Sequence, residues 1–216
     1  MNILPKIGNK VSLTQKAYDA IKEAILTNKL KPGELLIEEK LAEQLEISRT
    51  PLRSALKMLS YDHLVTINSS RNVMVTNIDQ GELNQIAVVR KALETTAVME
   101  LKSNITKGEI KELGKIVTDQ FEAYEHKNYD KLIEMEYEFH VKIAKYTKNK
   151  WIYDMVKTSN TIVQRYLVLS GSLNKYAKVA IEEHEEIVRS IKNGEFEKAS
   201  ENMKHHIINV NDRMLK

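Results

Sequence analysis

A mainly α-helical chain in two parts is the architecture this sequence predicts: an N-terminal unit of three helices and a small β-hairpin, then a C-terminal antiparallel six-helix bundle. Three observations predict it. Glycine and proline number only 7 and 3 among 216 residues, which leaves few interruptions to helix. Apolar residues recur at three- and four-residue spacing through most of the chain and switch to period two only over residues 64–76. Short polar breaks then cut the remainder into segments of ordinary helix length. The polar junction Thr76-Asn77-Ile78-Asp79 separates the two parts, giving domains 1–77 and 78–216.

Residues 1–11 read as a loose arm. From Ser12 to Thr27, residues Ala17, Ala20, Ile21, Ala24 and Ile25 make one apolar face, and Asn28 can stop that helix in the left-handed conformation. Leu30-Lys31-Pro32-Gly33 is a turn, and Leu35-Leu36-Ile37 a very short strand. Glu38 to Leu45 forms a short second helix with Leu41, Ala42 and Leu45 inward. A tight turn at Glu46-Ile47-Ser48 leads into a third helix. Ser48 is placed to cap it, and Pro51 lies in the first turn, where a missing N–H costs nothing. Leu52, Ala55, Leu56 and Leu59 form its buried stripe, which leaves Arg49, Thr50 and Arg53 exposed at the leading end. Leu64-Val65-Thr66-Ile67 and Val73-Met74-Val75-Thr76 are β-prone runs joined by Asn68-Ser69-Ser70-Arg71-Asn72, a hairpin with a basic residue at its tip.

Helix, short helix, turn, helix and hairpin is the order of a winged helix-turn-helix, whose third helix enters the major groove of DNA. Charge agrees with that reading. Residues 1–77 hold 11 Lys/Arg against 8 Asp/Glu, so the whole net charge of +3 is N-terminal. A small α+β domain with no nucleic-acid role is the alternative. The chain contains no cysteine, which excludes disulfides and fits a reducing, cytoplasmic compartment. Its first ten residues lack the apolar core of a signal peptide, and no apolar run has the length of a membrane span, so no membrane partner is expected.

Three segments carry a resemblance: Leu30-Lys31-Pro32-Gly33-Glu34-Leu35-Leu36, Leu41-Ala42-Glu43-Gln44-Leu45 and Ser48-Arg49-Thr50-Pro51-Leu52-Arg53-Ser54-Ala55-Leu56. Together they resemble the DNA-binding domain of the GntR family of transcription regulators. The resemblance implies that Arg49 and Arg53 read bases or phosphates, that Ser48 and Thr50 bind the backbone, and that Arg71 serves the wing in the minor groove. A homodimer on a palindromic double-stranded operator is the implied assembly. Ser54 stands where the family usually has Glu, and His63 and Asn72 where it usually has Gly. Asn72 is expected to take the positive φ that turns the wing.

Beyond the junction, helices are expected over residues 79–103, 106–126, 128–147, 149–170, 174–192 and 195–215, with Asp79 and Thr106 as N-caps. Helical phase sorts the six histidines. Glu136 and His140 are one turn apart and share a face with Ile133, Ile143 and Ala144. His184 aligns with Ile181, Val188 and Ile191, and His206 with Met203 and Val210. His205 aligns instead with Glu201, Asn202, Asn209 and Asp212 and points outward. Three imidazoles and a carboxylate from three helices therefore face the core, where buried polar groups need partners. A divalent transition metal satisfies all four; a network of hydrogen bonds is the alternative. Arg90 also faces inward, beside Leu83, Ile86, Leu93 and Ala97, and demands an anion. Either an internal ion pair with Glu94 or Glu100, or a carboxylate ligand, would supply it.

Glu136-Tyr137-Glu138-Phe139-His140, Glu183-His184 and Met203-Lys204-His205-His206-Ile207 resemble the FCD effector domain of the FadR subfamily. Six helices rather than seven suggest its VanR-like branch. By that resemblance Glu136, His140, His184 and His206 are metal ligands, with Glu136 where Asp is typical, and zinc, nickel or manganese the expected ion. Arg90-Lys91-Ala92-Leu93-Glu94 matches the family's Arg-x-x-Leu-Glu pattern, which implies that Arg90, with Arg165 as a second candidate, holds a small carboxylate effector. The implied function is a ligand-responsive regulator, a repressor rather than an enzyme. A metal-dependent helical-bundle enzyme and a regulator that senses the metal itself are the alternatives.

Overall fold

A computed structural model describes residues 12–77 and 80–215, which divide into two compact units, Met1–Asn77 and Ile78–Lys216. The arm at residues 1–11 and the cap at Asp79 lie outside the described residues. In the first unit α1 spans Leu13–Leu26, β1 Leu35–Leu36, α2 Glu38–Gln44, α3 Arg49–Tyr61, β2 Val65–Ile67 and β3 Val73–Val75. The strands form an antiparallel sheet in the order β1-β3-β2, with Leu36 opposite Val73 and Val65 opposite Val75. The hairpin is thus held on its open edge by β1, which a two-stranded ribbon alone would lack. Ala17, Ile21 and Ile25 of α1 and Leu52, Ala55, Leu56 and Leu59 of α3 bury against Leu36, Val65, Val73 and Val75 in one core.

Ser12 caps α1, its Oγ accepting the Gln15 N–H at 3.1 Å, and Asn28 leaves the helix at φ 56° as its residue type allows. Two local expectations are corrected. Ser48 does occupy the N-cap position of α3 in extended backbone, yet its hydroxyl makes no capping bond. At the wing tip Arg71, not Asn72, takes the left-handed conformation, at φ 63°. Asn68 explains the exchange: its Oδ1 accepts the Asn72 N–H at 2.9 Å and its carbonyl accepts the Arg71 N–H at 2.9 Å, so the turn closes one residue earlier.

The second unit comprises α4 (Gln80–Glu100), a single 3-10 turn (Leu101–Ser103), α5 (Lys107–Glu125), α6 (Tyr129–Tyr146), α7 (Lys150–Ser170), α8 (Ser172–Lys192) and α9 (Phe196–Met214). Thr106 closes a full capping box on α5: its Oγ1 accepts the Glu109 N–H and the Glu109 carboxylate accepts the Thr106 N–H. Only Gly171, at φ 60°, separates α7 from α8, so α8 begins two residues before the expected start at 174. The core runs from Leu83, Ala97 and Leu101 through Leu113, Phe139, Ile143 and Val163 to Ile187, Met203 and Ile207.

Lys127 and Lys148 end α5 and α6 at φ 54° and 59°, a conformation that costs an L-residue about 1–2 kcal/mol. Glycine removes that strain but adds freedom to the unfolded chain. Lys127→Gly and Lys148→Gly are therefore each expected to stabilise the protein, by roughly 0.5 kcal/mol or somewhat more. Thermal unfolding reads this directly; a lowered midpoint in both would contradict the assignment of strain.

Candidate metal centre and nucleic-acid interface

In the bundle, packing of α6 on α7 and α5, and of α8 on α9, brings the four inward polar residues to one point. Glu136 and His140 come from α6, His184 from α8 and His206 from α9, and all four are buried. The His184 and His206 Nε2 atoms lie 3.1 Å apart, and those of His206 and His140 3.3 Å apart. Glu136 Oε1 lies 3.4 Å from His140 Nε2 and 3.6 Å from His206 Nε2, and its Oε2 lies 3.7 Å from His184 Nε2. Four donors bound to a tetrahedral ion at zinc–nitrogen distance would be about 3.4 Å from one another.

The outer hydrogen bonds explain why the Nε2 atoms converge. His140 Nδ1 donates to Glu94 Oε2 at 2.5 Å, His184 Nδ1 to Gln120 Oε1 at 2.9 Å, and His206 Nδ1 to Glu183 Oε2 at 2.8 Å. Each partner is an acceptor oxygen, so each ring carries its proton on Nδ1 and turns an Nε2 lone pair inward. Three lone pairs and a carboxylate that face one another within 4.8 Å have no donor between them. A divalent cation supplies what they lack, and the outer acceptors hold the ring orientations that it requires. These residues form a buried candidate coordination site for a divalent metal; three imidazoles suit zinc or nickel, and of the expected ions manganese, which prefers oxygen donors, fits the set least well.

The electrostatics are those of a site organised around positive charge. Burial would raise the Glu136 carboxyl, but positive charge on the facing His184, His140 and His206, or a cation held among them, outweighs it and holds the group ionised, well below the carboxylate range. Burial drives His184 far towards its neutral form, the form that binds metal. Burial opposes ionisation of Glu183 too, yet His206, Arg213 and Asn209 bring its pKa to about 2.

Glu94 is the busiest of the outer groups. It accepts from His140 Nδ1, from Arg90 Nε at 2.7 Å and from Asn160 Nδ2 at 2.9 Å. The internal ion pair weighed from the sequence is therefore present, in Arg90–Glu94, and both members are buried. It does not exhaust Arg90: the buried Nη2 has no hydrogen-bond partner among the described residues. Arg165 on α7 is equally buried; desolvation lowers its pKa, and the Glu82 carboxylate opposes that shift. Glu94 as a support for His140, Gln120, Asn160 and Glu183 were not identified as part of the site from the sequence. Gln120 left a readable trace, a lone polar residue on the α5 face that buries Leu113, Ile116 and Val117.

In the first unit, Ser48, Arg49, Thr50 and Arg53 are exposed at the start of α3 and Arg71 is exposed at the wing tip. Arg53, Lys57 and Arg71 line a cleft of about 370 Å³ between α3 and the wing, floored by Leu56, Ile67 and Val73. Lys57 joins the set one turn after Arg53, so helical phase alone would have found it. Two acidic residues of α2 complicate the surface. Glu39 Oε1 accepts from Arg49 Nη2 at 2.6 Å, and Glu38 Oε2 from Arg53 Nε at 2.7 Å.

The comparisons with known proteins agree with both halves. Residues 13–75 match the family of bacterial regulatory proteins called gntR, and residues 85–209 match the FCD domain family. The uncharacterised HTH-type transcriptional regulator YdhC of Bacillus subtilis is 23% identical over 192 residues, covering 88% of this chain and 84% of that protein. The HTH-type transcriptional repressor RspR of Escherichia coli is 20% identical over 212 residues, covering 98% of this chain and 93% of that protein. Among solved structures, a GntR regulator from Rhodococcus sp. RHA1 superposes with a TM-score of 0.82 at 17% identity, covering 95% of this chain and 98% of that one. E. coli McbR/YncC superposes with a TM-score of 0.77 at 23% identity, covering 95% and 96%. No helix among the described residues is long and apolar enough to cross a membrane. The chain belongs to the gntR family of bacterial regulatory proteins: a DNA-binding regulator rather than an enzyme, with an FCD domain that carries a buried glutamate–histidine metal site.

Proposed function

We propose that this regulator is a cytoplasmic repressor of the FadR subfamily's VanR-like branch, and that a small carboxylate bound at the metal site controls its hold on a palindromic operator. Arg90 carries this reading. A buried guanidinium with one free nitrogen, joined through Glu94 to a metal ligand, is an anion site that the protein itself leaves half filled. An ion that expands its coordination beyond the four protein donors would supply a Lewis-acidic position for one carboxylate oxygen, while Arg90 donates to the other. Glu136, His140, His184 and His206 hold the ion in this proposal, and Arg165 is the second cation for a longer acid. Repression is favoured by the likeness over nearly the whole chain to RspR, which is named a repressor.

On the DNA side, Arg49 and Arg53 read bases or phosphates, Ser48 and Thr50 bind the backbone, and Arg71 enters the minor groove from the wing. Two copies are required to read both halves of a palindrome. Binding in the bundle changes operator affinity only by as much as the ligand prefers one arrangement of the protein over another. A coupling of 1–3 kcal/mol, the usual range, would lower affinity roughly 5- to 150-fold.

The test is a thermal-shift screen of small mono- and dicarboxylates on metal-loaded protein, repeated on Arg90→Ala. The expected outcome is a raised unfolding midpoint for at least one acid with wild type and none with the variant. An equal shift in both would remove Arg90 from the site.

The Glu38 and Glu39 pairs make a separate prediction. DNA phosphates must compete with these carboxylates for Arg49 and Arg53, so the free surface is partly neutralised in advance. The combined Glu38→Gln and Glu39→Gln variant is expected to bind non-specific DNA several-fold more tightly, with a steeper salt dependence. Fluorescence anisotropy at several salt concentrations measures both, and weaker binding would show that the two glutamates position the arginines instead.

A further inference from the structure

α5 packs along α8, and the two leave a cleft of about 610 Å³ near the start of α5 and the end of α8. Lys107, Ile110, Lys111 and Gly114 line it from α5, and Val188 and Lys192 from α8. Spacings of three and four residues put each set on one face of its helix. Ile110, Gly114 and Val188 are half-buried and form an apolar floor, while the three lysines stand exposed around it. The cleft shares no residue with the metal centre, nor with Arg90 or Arg165. Its volume is that of a small-molecule site, for which about 300–1,000 Å³ is usual.

The charges of this cleft are unanswered. Lys115, one turn after Lys111, holds Asp119 at 2.6 Å, and Lys142 on α6 holds Glu112 at 2.5 Å. Lys107, Lys111 and Lys192 have no ion pair among the described residues, and no carboxylate among those residues lines the cleft. Lys107 is moreover the first residue of α5, where the positive end of the helix disfavours a cation. Glu109, the acidic residue of that first turn, does not offset it, because its carboxylate is turned back onto Thr106. Gly114 is equally unexplained from within. It lies inside a 19-residue helix, where only proline is a poorer choice. A Cβ added there would meet nothing within 4 Å, so no packing among the described residues calls for its absence. What the missing side chain does is lower the floor and open the backbone to an occupant.

We propose that this cleft binds a small organic phosphate, its apolar body on Ile110, Gly114 and Val188 and its phosphate among Lys107, Lys111 and Lys192. Charge selects the head group. A phosphate monoester carries about −1.5 to −2 at neutral pH and suits a set of point-charge ammoniums, whereas a single carboxylate would leave most of their charge unmatched. The positive end of α5 adds to the attraction. The floor selects the body, since covering Ile110 and Val188 adds affinity only for a ligand with apolar surface of its own.

Calorimetric titration of zinc-loaded, full-length protein with naphthyl phosphate and with inorganic phosphate tests this. Wild type is expected to bind naphthyl phosphate saturably, with a dissociation constant below about 1 mM, and inorganic phosphate about 10-fold more weakly or worse. Lys107→Gln combined with Lys111→Gln is expected to weaken naphthyl phosphate by about 10-fold. Gly114→Leu is expected to do the same with all three lysines in place, by filling the floor. Leucine is also the better helix former, so Gly114→Leu should raise the unfolding midpoint, which separates a filled cleft from a damaged bundle. Lys115→Gln, beside Gly114 in sequence but paired with Asp119 outside the cleft, should bind as wild type does. Absence of saturable binding by wild type would overturn the proposal. So would wild-type affinity in either cleft variant, which would put the ligand elsewhere, and so would equal affinity for the two phosphates, which would leave the floor without a role.

Discussion

Arg53→Ala is expected to abolish measurable operator binding, and Arg49→Ala to come close. Each removes a cation from the exposed leading end of α3, where a base or phosphate contact is worth about 1–3 kcal/mol. In a homodimer every substitution is present twice, so the expected loss is roughly 2–6 kcal/mol, or about 30-fold to more than 10⁴-fold. Arg53→Ala has the greater effect because it strips Glu38 of its partner and leaves a carboxylate facing the phosphates. That asymmetry gives an internal check. Adding Glu38→Gln to Arg53→Ala should recover part of the lost affinity, while adding Glu39→Gln should not. Arg53 and Lys57 line the same cleft, so Lys57→Ala is expected to weaken binding uniformly across sequences rather than relax specificity.

Removal of the metal, by chelation or by His184→Ala, is the second large effect. The four ligands come from α6, α8 and α9, so an ion ties three helices of the bundle together. A metal present at 1,000 times its dissociation constant stabilises the folded chain by about 4 kcal/mol, which corresponds to a fall of roughly 10 °C in the unfolding midpoint when it is lost. His184→Ala should show the low midpoint with or without added zinc, because it removes a ligand and leaves Gln120 without its ring partner. Gln120→Leu keeps the ring but removes the acceptor that fixes its tautomer; a 10- to 100-fold loss of metal affinity is expected there. Calorimetric titration with zinc separates the two. Equal midpoints for chelated and zinc-loaded wild type would mean that the cluster does not bind the ion tightly enough to matter.

What was legible in the sequence follows from which physical signals are local. Helix bounds in the bundle are set by caps and breaks within a few residues, so Thr106, Asn128 and Asn149 could be read as starts before any packing was known. The four inward ligands were legible for a related reason: helical phase shows which side of its own helix a residue occupies, and Glu136, His140, His184 and His206 each sat among apolar neighbours. Phase does not show which helix lies opposite. That is why Glu94, Asn160 and Gln120 escaped, since their role depends on α4 meeting α6 and α7, and on α5 meeting α8. The same limit hid the Glu38 and Glu39 pairs, which depend on how α2 crosses α3. The two misplaced details in the first unit are of another kind. Ser48 and Asn72 have the right residue types for a cap and a left-handed turn; Ser48 takes the cap position without its side-chain bond, and at the wing Asn68 closes the turn one residue before Asn72. Residue propensity says what a position tolerates, and hydrogen bonds made by others decide whether it is used.

In the function proposed above, what occupies the metal centre governs how the recognition helices hold DNA. The most direct measurement is anisotropy of labelled DNA from upstream of the protein's own gene, bound by zinc-loaded protein and titrated with the carboxylate that gives the largest thermal shift. Wild type is expected to lose at least 5-fold in affinity, while Arg90→Ala and His140→Ala bind the same DNA and ignore the acid. An acid that stabilises the wild-type bundle yet leaves DNA affinity unchanged at saturation would contradict the claim, because a ligand without differential affinity for the two states moves nothing.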